Sequence, residues 1–189
     1  MLSEKELVEG CKSYNSAAQK MLYIKYSSKM YAICVRYIKD KEEAKDLLQE
    51  GFIKVFANID KYSFNGSLEG WIRKVIINMV LYHIKSNKKY KWESINEANS
   101  EHIGLEENDS FEPDEDEFTM GELEKALNSL PEVYRVVFNL YHIDEFSHSE
   151  IGNILSIDET TSRTRLFRAK AILRDKLDSV RKLKYKMES

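Results

Sequence analysis

The stretch Thr160–Lys170, T-T-S-R-T-R-L-F-R-A-K, carries Arg163, Arg165, Arg168 and Lys170 around Phe167, with no acid among them. Solvated helix surfaces usually mix the two charges. Placed on a helix at about 100° per residue, Ser162, Leu166, Ala169, Leu173, Leu177 and Val180 share one narrow stripe that can bury. Arg163, Thr164, Phe167 and Arg168 fall on the opposite side. Guanidinium groups neutralise phosphates and can grip guanine through two hydrogen bonds, and an aromatic ring can touch a thymine methyl or a sugar. The chemistry these residues can do is to hold a polyanion.

No set of side chains suggests catalysis. His83, His102, His142 and His148 are scattered and lack metal-ligand spacing with Cys11 and Cys34. No glycine-rich phosphate loop and no nucleophile–base–orienter set is visible, so neither enzyme nor cofactor is expected. Both cysteines sit in apolar-patterned segments and read as buried thiols of a reducing compartment. The start of the sequence shows no apolar leader pattern and no run of about 18 apolar residues occurs, so neither a secretory signal nor a membrane span is expected, and a cytoplasmic location is.

The elements that must position the basic helix follow from capping signals and apolar spacing. Ser3 with Glu6 opens a short helix over residues 4–12. Asn15 can cap a second helix towards Lys39, with Met21, Leu22, Ile24, Met30, Ile33, Cys34, Tyr37 and Ile38 recurring at three and four. Asp40 with Glu43 precedes a third, about 41–59, and Ser67 a fourth reaching about Tyr90. Helical pattern resumes near Met120. Pro131 fits the first turn of a helix continuing to about His142. Ser147 with Glu150 opens a helix over 148–155, and Asp158 caps the last. Helix, the short turn S-I-D-E, then the basic helix is helix-turn-helix order, in which the second helix enters the major groove.

Net charge is −3 over 189 residues, but its distribution is uneven. Residues 91–120 carry eleven acids and one lysine, leaving +7 for the remainder. The fold expected is all-α: a helical domain over 1–92, an acidic flexible linker over 93–118, and a helix-turn-helix domain over 119–189.

Three stretches resemble one family. Glu150–Leu173, E-I-G-N-I-L-S-I-D-E-T-T-S-R-T-R-L-F-R-A-K-A-I-L, resembles the promoter-reading helix-turn-helix of bacterial sigma factors of the extracytoplasmic-function group. Ala44–Phe52, A-K-D-L-L-Q-E-G-F, resembles that group's polymerase-binding helix. Phe64–Asn78, F-N-G-S-L-E-G-W-I-R-K-V-I-I-N, resembles its segment that opens and reads the promoter's −10 element.

The resemblance implies an alternative sigma factor that binds core RNA polymerase and promoter DNA, in a group that commonly has an anti-sigma partner. It implies −35 contacts at Arg163, Thr164, Phe167 and Arg168, and polymerase contacts at Asp46, Leu48, Gln49 and Glu50. It places promoter opening on Phe64, Asn65, Ser67, Arg73, Lys74 and Asn78. Holding a base outside its stack needs aromatic and polar groups beside positive charge, which these residues with Tyr62 supply. Trp71 fits this role or a buried one beside Leu68 and Val75; Asn78, in an apolar run, should need a partner. Gly152 stands where the group often has alanine, and Ser162 where it often has a β-branched apolar residue, so both should weaken the motif locally. The acidic segment reads equally as a soluble tether or as an RNA mimic in a basic channel. The competing reading is a one-component helix-turn-helix repressor with a helical sensing domain.

Overall fold

The computed structural model describes residues 3–86 and 118–188, with side chains as far as residue 185. The chain divides into two compact units. Every regular element among the described residues is helical.

The first unit contains α1 (Glu4–Lys12), α2 (Ser16–Tyr37), α3 (Lys41–Ala57), a 3₁₀ turn (Ile59–Lys61) and α4 (Leu68–Ser86). Each start is set by a side chain satisfying amides that the helix leaves open. Ser3 accepts from the Glu6 amide while the Glu6 carboxylate accepts from the Ser3 amide at 2.7 Å. Asn15 caps α2 through the amides of Ala17 and Ala18. Asp40 caps α3 through those of Glu42 and Glu43, at 2.9 and 3.1 Å. The Ser67 hydroxyl accepts from the Gly70 amide at 3.1 Å and begins α4.

Leu22, Met30, Ile33 and Tyr37 of α2, Leu47, Phe52 and Val55 of α3, and Leu68, Ile72, Ile76 and Val80 of α4 form the core. Each such side chain contributes about 1.5–3 kcal/mol by leaving water. Met21 and Ile24, which shared the apolar spacing of α2, are exposed. That helix carries more apolar residues than one face can bury. Both thiols are buried and free, and burial pushes Cys34 up to about 12. The described part of α4 ends at Ser86; the expected turn to Tyr90 lies outside the described residues.

The second unit contains α5 (Met120–Ser129), α6 (Glu132–Phe138), a π turn (Asn139–Ile143), α7 (His148–Leu155) and α8 (Glu159–Glu188). Thr119 and Glu122 form a reciprocal cap on α5 that the sequence reading passed over. The helix expected to run from Pro131 to His142 widens into the π turn at Asn139. Its last turn closes when the Asp144 amide donates to the Asn139 carbonyl at 2.9 Å. Ser147 and Glu150 cap α7 as expected.

Most of the acidic segment 93–118 lies outside the described residues, and its last member is described. Phe118 is buried, with Arg181 and Lys184 of α8 over its ring at 5.8 and 5.4 Å. Phe118 therefore packs with the second unit. A single apolar residue at the end of an acidic run leaves no periodic signal.

Candidate nucleic-acid interface

The helix-turn-helix is built by packing α7 across the first turns of α8. Ser156 takes a left-handed conformation (φ 57°) and ends α7. The Ile157 amide then donates to the Gly152 carbonyl at 3.1 Å. A Cβ added at Gly152 would lie 2.8 Å from the Ile157 carbonyl oxygen, so the glycine expected to weaken the motif makes room for its turn. Asp158 starts α8 by accepting from the Thr161 amide at 2.6 Å and its hydroxyl at 3.1 Å. These bonds hold the Asp158 carboxyl below the usual carboxylate range.

The buried stripe of α8 is the expected one: Ser162, Leu166, Ala169, Leu173 and Leu177 are buried, and Val180 partly so. Ser162 is not a packing defect. His148 Nδ1 of α7 lies 2.9 Å from the Ser162 hydroxyl, and both side chains are buried. The His148 ring also stacks on Tyr141 of the π turn at 4.4 Å. Burial, then Arg163, push His148 below its ordinary titration range. This pair was missed because its members lie fourteen residues apart and each looked isolated.

The opposite side of α8 carries the residues selected for DNA. Arg163 is exposed and its guanidinium meets Glu159 at 2.7 Å, one helical turn back. Thr164 and Phe167 are half-buried at the base of the same face. Arg168 is also half-buried and donates to the Tyr134 hydroxyl of α6 at 3.3 Å, so it is braced against its own unit. Arg165, though part of the basic run, is 7% exposed. It flanks the buried stripe on the helical projection, which is why its charge is withdrawn from the surface. Thr160, not selected before, is exposed three residues ahead of Arg163.

In the first unit, Phe64 and Asn65 stand exposed on the loop between the 3₁₀ turn and α4. Phe64 has φ 61° and Gly66 φ 90°. Two positive-φ residues make the reversal, and the glycine bears its share without a Cβ penalty. Beneath them Tyr62 is buried, its ring 4.9 Å from Phe64 and 5.7 Å from Trp71. Trp71 is half-buried, between its two readings. Ser67 is exposed but occupied in capping α4. Arg73, Lys74 and Asn78 are exposed along that helix. Asn78, expected to need a partner, turns its amide to solvent. The loop and α4 thus offer an aromatic knob, two amides and two cations on one stretch of chain.

On α3, Asp46, Gln49 and Glu50 are exposed at helical spacing three and four, so they share a face. Leu48 is 6% exposed and belongs to the core, so it positions that face from beneath. Lys85 is exposed in the last turn of α4, whereas Lys88 and Lys89 lie outside the described residues.

A helix-turn-helix with a basic residue on its outer face, beside a helical unit whose aromatic loop lies next to cations, has the features of a DNA-binding transcription factor. Residues 22–90 match the family described as Sigma-70 region 2, and residues 120–173 the family described as Sigma-70, region 4. The chain is 30% identical over 158 residues to the ECF RNA polymerase sigma factor SigW of Bacillus subtilis, covering 80% of this chain and 84% of that one. It is 25% identical over 175 residues to the RNA polymerase sigma-H factor of Pseudomonas aeruginosa, covering 88% and 90%. The sigma factor RpoE of Bartonella quintana, solved in complex with the anti-sigma factor NepR, shares the fold. Its TM-score is 0.52 at 18% identity, over 84% of this chain and 96% of that one. The chain belongs to the extracytoplasmic-function group of RNA polymerase sigma factors. It is an alternative sigma factor that works with core RNA polymerase in promoter-specific initiation, which sets aside the one-component repressor.

Proposed function

We propose that the described surfaces divide the work of initiation. The α3 face of Asp46, Gln49 and Glu50 docks on a basic surface of core polymerase. The Phe64–Ser67 loop, with Arg73, Lys74 and Asn78 of α4, captures the unpaired strand of the −10 element. Thr160, Arg163, Thr164 and Phe167 meet the −35 duplex, and Arg168 steadies that helix and reaches the backbone. Bond making belongs to the polymerase; this chain contributes no catalytic group and acts in the cytoplasm. An anti-sigma protein that covers one of these faces would hold the chain inactive.

The observation that carries this reading is the two-sidedness of α8. One side is fixed by Ser162, Leu166, Ala169 and Leu173 against its own unit, while the first turns leave Thr160 and Arg163 in solvent. Base edges are read from this part of a recognition helix. The experiment is reconstitution with core polymerase, followed by run-off transcription from genomic promoter fragments. Start sites that depend on this chain support the reading. Failure to associate with core polymerase, or association with no selected start site, overturns it.

A further inference from the structure

The region 2 match begins at residue 22, so α1 lies outside it. Yet α1 makes the side-chain contacts nearest the loop apex. Tyr62 Oη lies 2.9 Å from the Gly66 carbonyl and 3.2 Å from Glu4 Oε1, so its single proton is shared between the loop and α1. Eight residues along α1, Lys12 places its ammonium over the exposed Phe64 ring at 5.4 Å. The Tyr62 ring supports Phe64 from beneath. One helix therefore grips the loop at both ends, through the hydroxyl under Gly66 and through the ring of Phe64.

α1 has supports of its own beside these grips, and Lys12 also pairs within it, with Glu9 at 3.3 Å. Ser3 and Glu6 already cap it, and Leu7, Val8 and Cys11 seat it in the core. The contacts act on a loop whose reversal is made by two positive-φ residues, Phe64 and Gly66. Capturing a base from the duplex requires that its receptor be formed before the base arrives, because ordering the loop at that moment would subtract from the affinity.

We infer that α1 is a loop brace in which Glu4 and Lys12 are positioning residues for promoter opening, holding Tyr62 and Phe64 in the strand-capturing arrangement. This rests on the assignment of Phe64 to strand capture.

The test uses holoenzyme made from the full chain and core polymerase. Open-complex formation is followed by permanganate reactivity of unpaired thymines, with Lys12→Met, Phe64→Ala and the double variant. Lys12→Met keeps the aliphatic stem and removes the cation. Loss of one cation–π contact is expected to slow opening about threefold, with thermal midpoint and core affinity unchanged and with Lys12→Arg restoring the rate. In the double variant the Lys12 effect should vanish, because the cation has lost the ring it acts through. Glu4→Gln should slow opening to a smaller extent, since an amide oxygen still accepts from Tyr62. Additive effects of Lys12→Met and Phe64→Ala, or a loss explained by weaker core binding, overturn the brace. If Phe64→Ala alone leaves opening unchanged, the strand-capture assignment fails instead.

Discussion

At the scale of single residues, the helix-turn-helix depends on a histidine and a serine that looked unrelated in sequence. Ser162→Ala would leave His148 Nδ1 buried without its 2.9 Å partner. The expected cost is about 1–3 kcal/mol, read as a lower urea midpoint of the second unit; an unchanged midpoint would show that the pair is idle. The same burial makes that unit acid-sensitive. His148 is pushed down chiefly by burial and then by Arg163, whereas His142, exposed as a whole residue, is pushed down by partial desolvation of its ring and by Lys170. Their unfolded forms take up protons near pH 6.5, while the folded forms resist. Between that pH and the lowered folded values, the unfolded state binds more protons, so stability falls as pH falls. The contribution is complete above about pH 6.5 and is lost progressively below it. Urea midpoints at pH 7.5 and 5.5 should therefore differ, and His148→Gln should narrow the gap. Gly152→Ala sets a gain in helix propensity of about 1 kcal/mol against overpacking of about 1–3 kcal/mol. The contact is with backbone rather than a movable side chain, so a net loss is expected, measured by denaturation.

At the scale of elements, most boundaries were legible because capping chemistry is local. Ser3, Asn15, Asp40, Ser147 and Asp158 each begin a helix within a residue of the expected place. The elements that escaped were those whose neighbouring sequence masked them. Thr119–Glu122 and Phe118 were hidden at the end of an acidic run, and the π turn carries no periodicity that marks it apart from the helix before it. The candidate site divides the same way. The outward side of α8 was readable from helical projection, whereas the bracing of Arg168 by Tyr134 and the burial of Arg165 needed the fold. Phe118 offers a test of one hidden element. It is covered by Arg181 and Lys184, and Lys184 also meets Glu122 at 2.9 Å, so it anchors the C-terminal turns of α8 to the start of α5. Lys184, then the Thr119 amide, hold the Glu122 carboxyl down at about 2. Phe118→Ala should cost about 3 kcal/mol and raise hydrogen exchange in the last turns of α8 while sparing α7. Uniform exchange across the unit would refute local anchoring.

At the scale of the whole molecule, three surfaces on two separately packed units imply that damage should appear at different stages of initiation. The α3 face lies on α3, away from its core positions Leu47, Leu48 and Phe52. Gln49→Ala should therefore weaken association with core polymerase without lowering the thermal midpoint. On the proposed assignment the loop acts only once strands part, so Phe64→Ala should leave promoter occupancy intact and slow opening. On the same assignment Arg163 acts earlier, on duplex, although its guanidinium is held by Glu159 at 2.7 Å. An exposed pair of this kind is worth little in water, so releasing it should not prevent base contact. Arg163→Ala is expected to weaken promoter binding by about 1–3 kcal/mol if the group reads a base. The salt dependence then separates two roles. A base reader loses discrimination among −35 sequences with little change in the slope of log K against log salt. A phosphate contact weakens every sequence alike and reduces that slope by about one. Filter binding of holoenzyme to matched and altered −35 duplexes over a salt series distinguishes these outcomes, and unaltered affinity at every salt concentration would remove Arg163 from the interface.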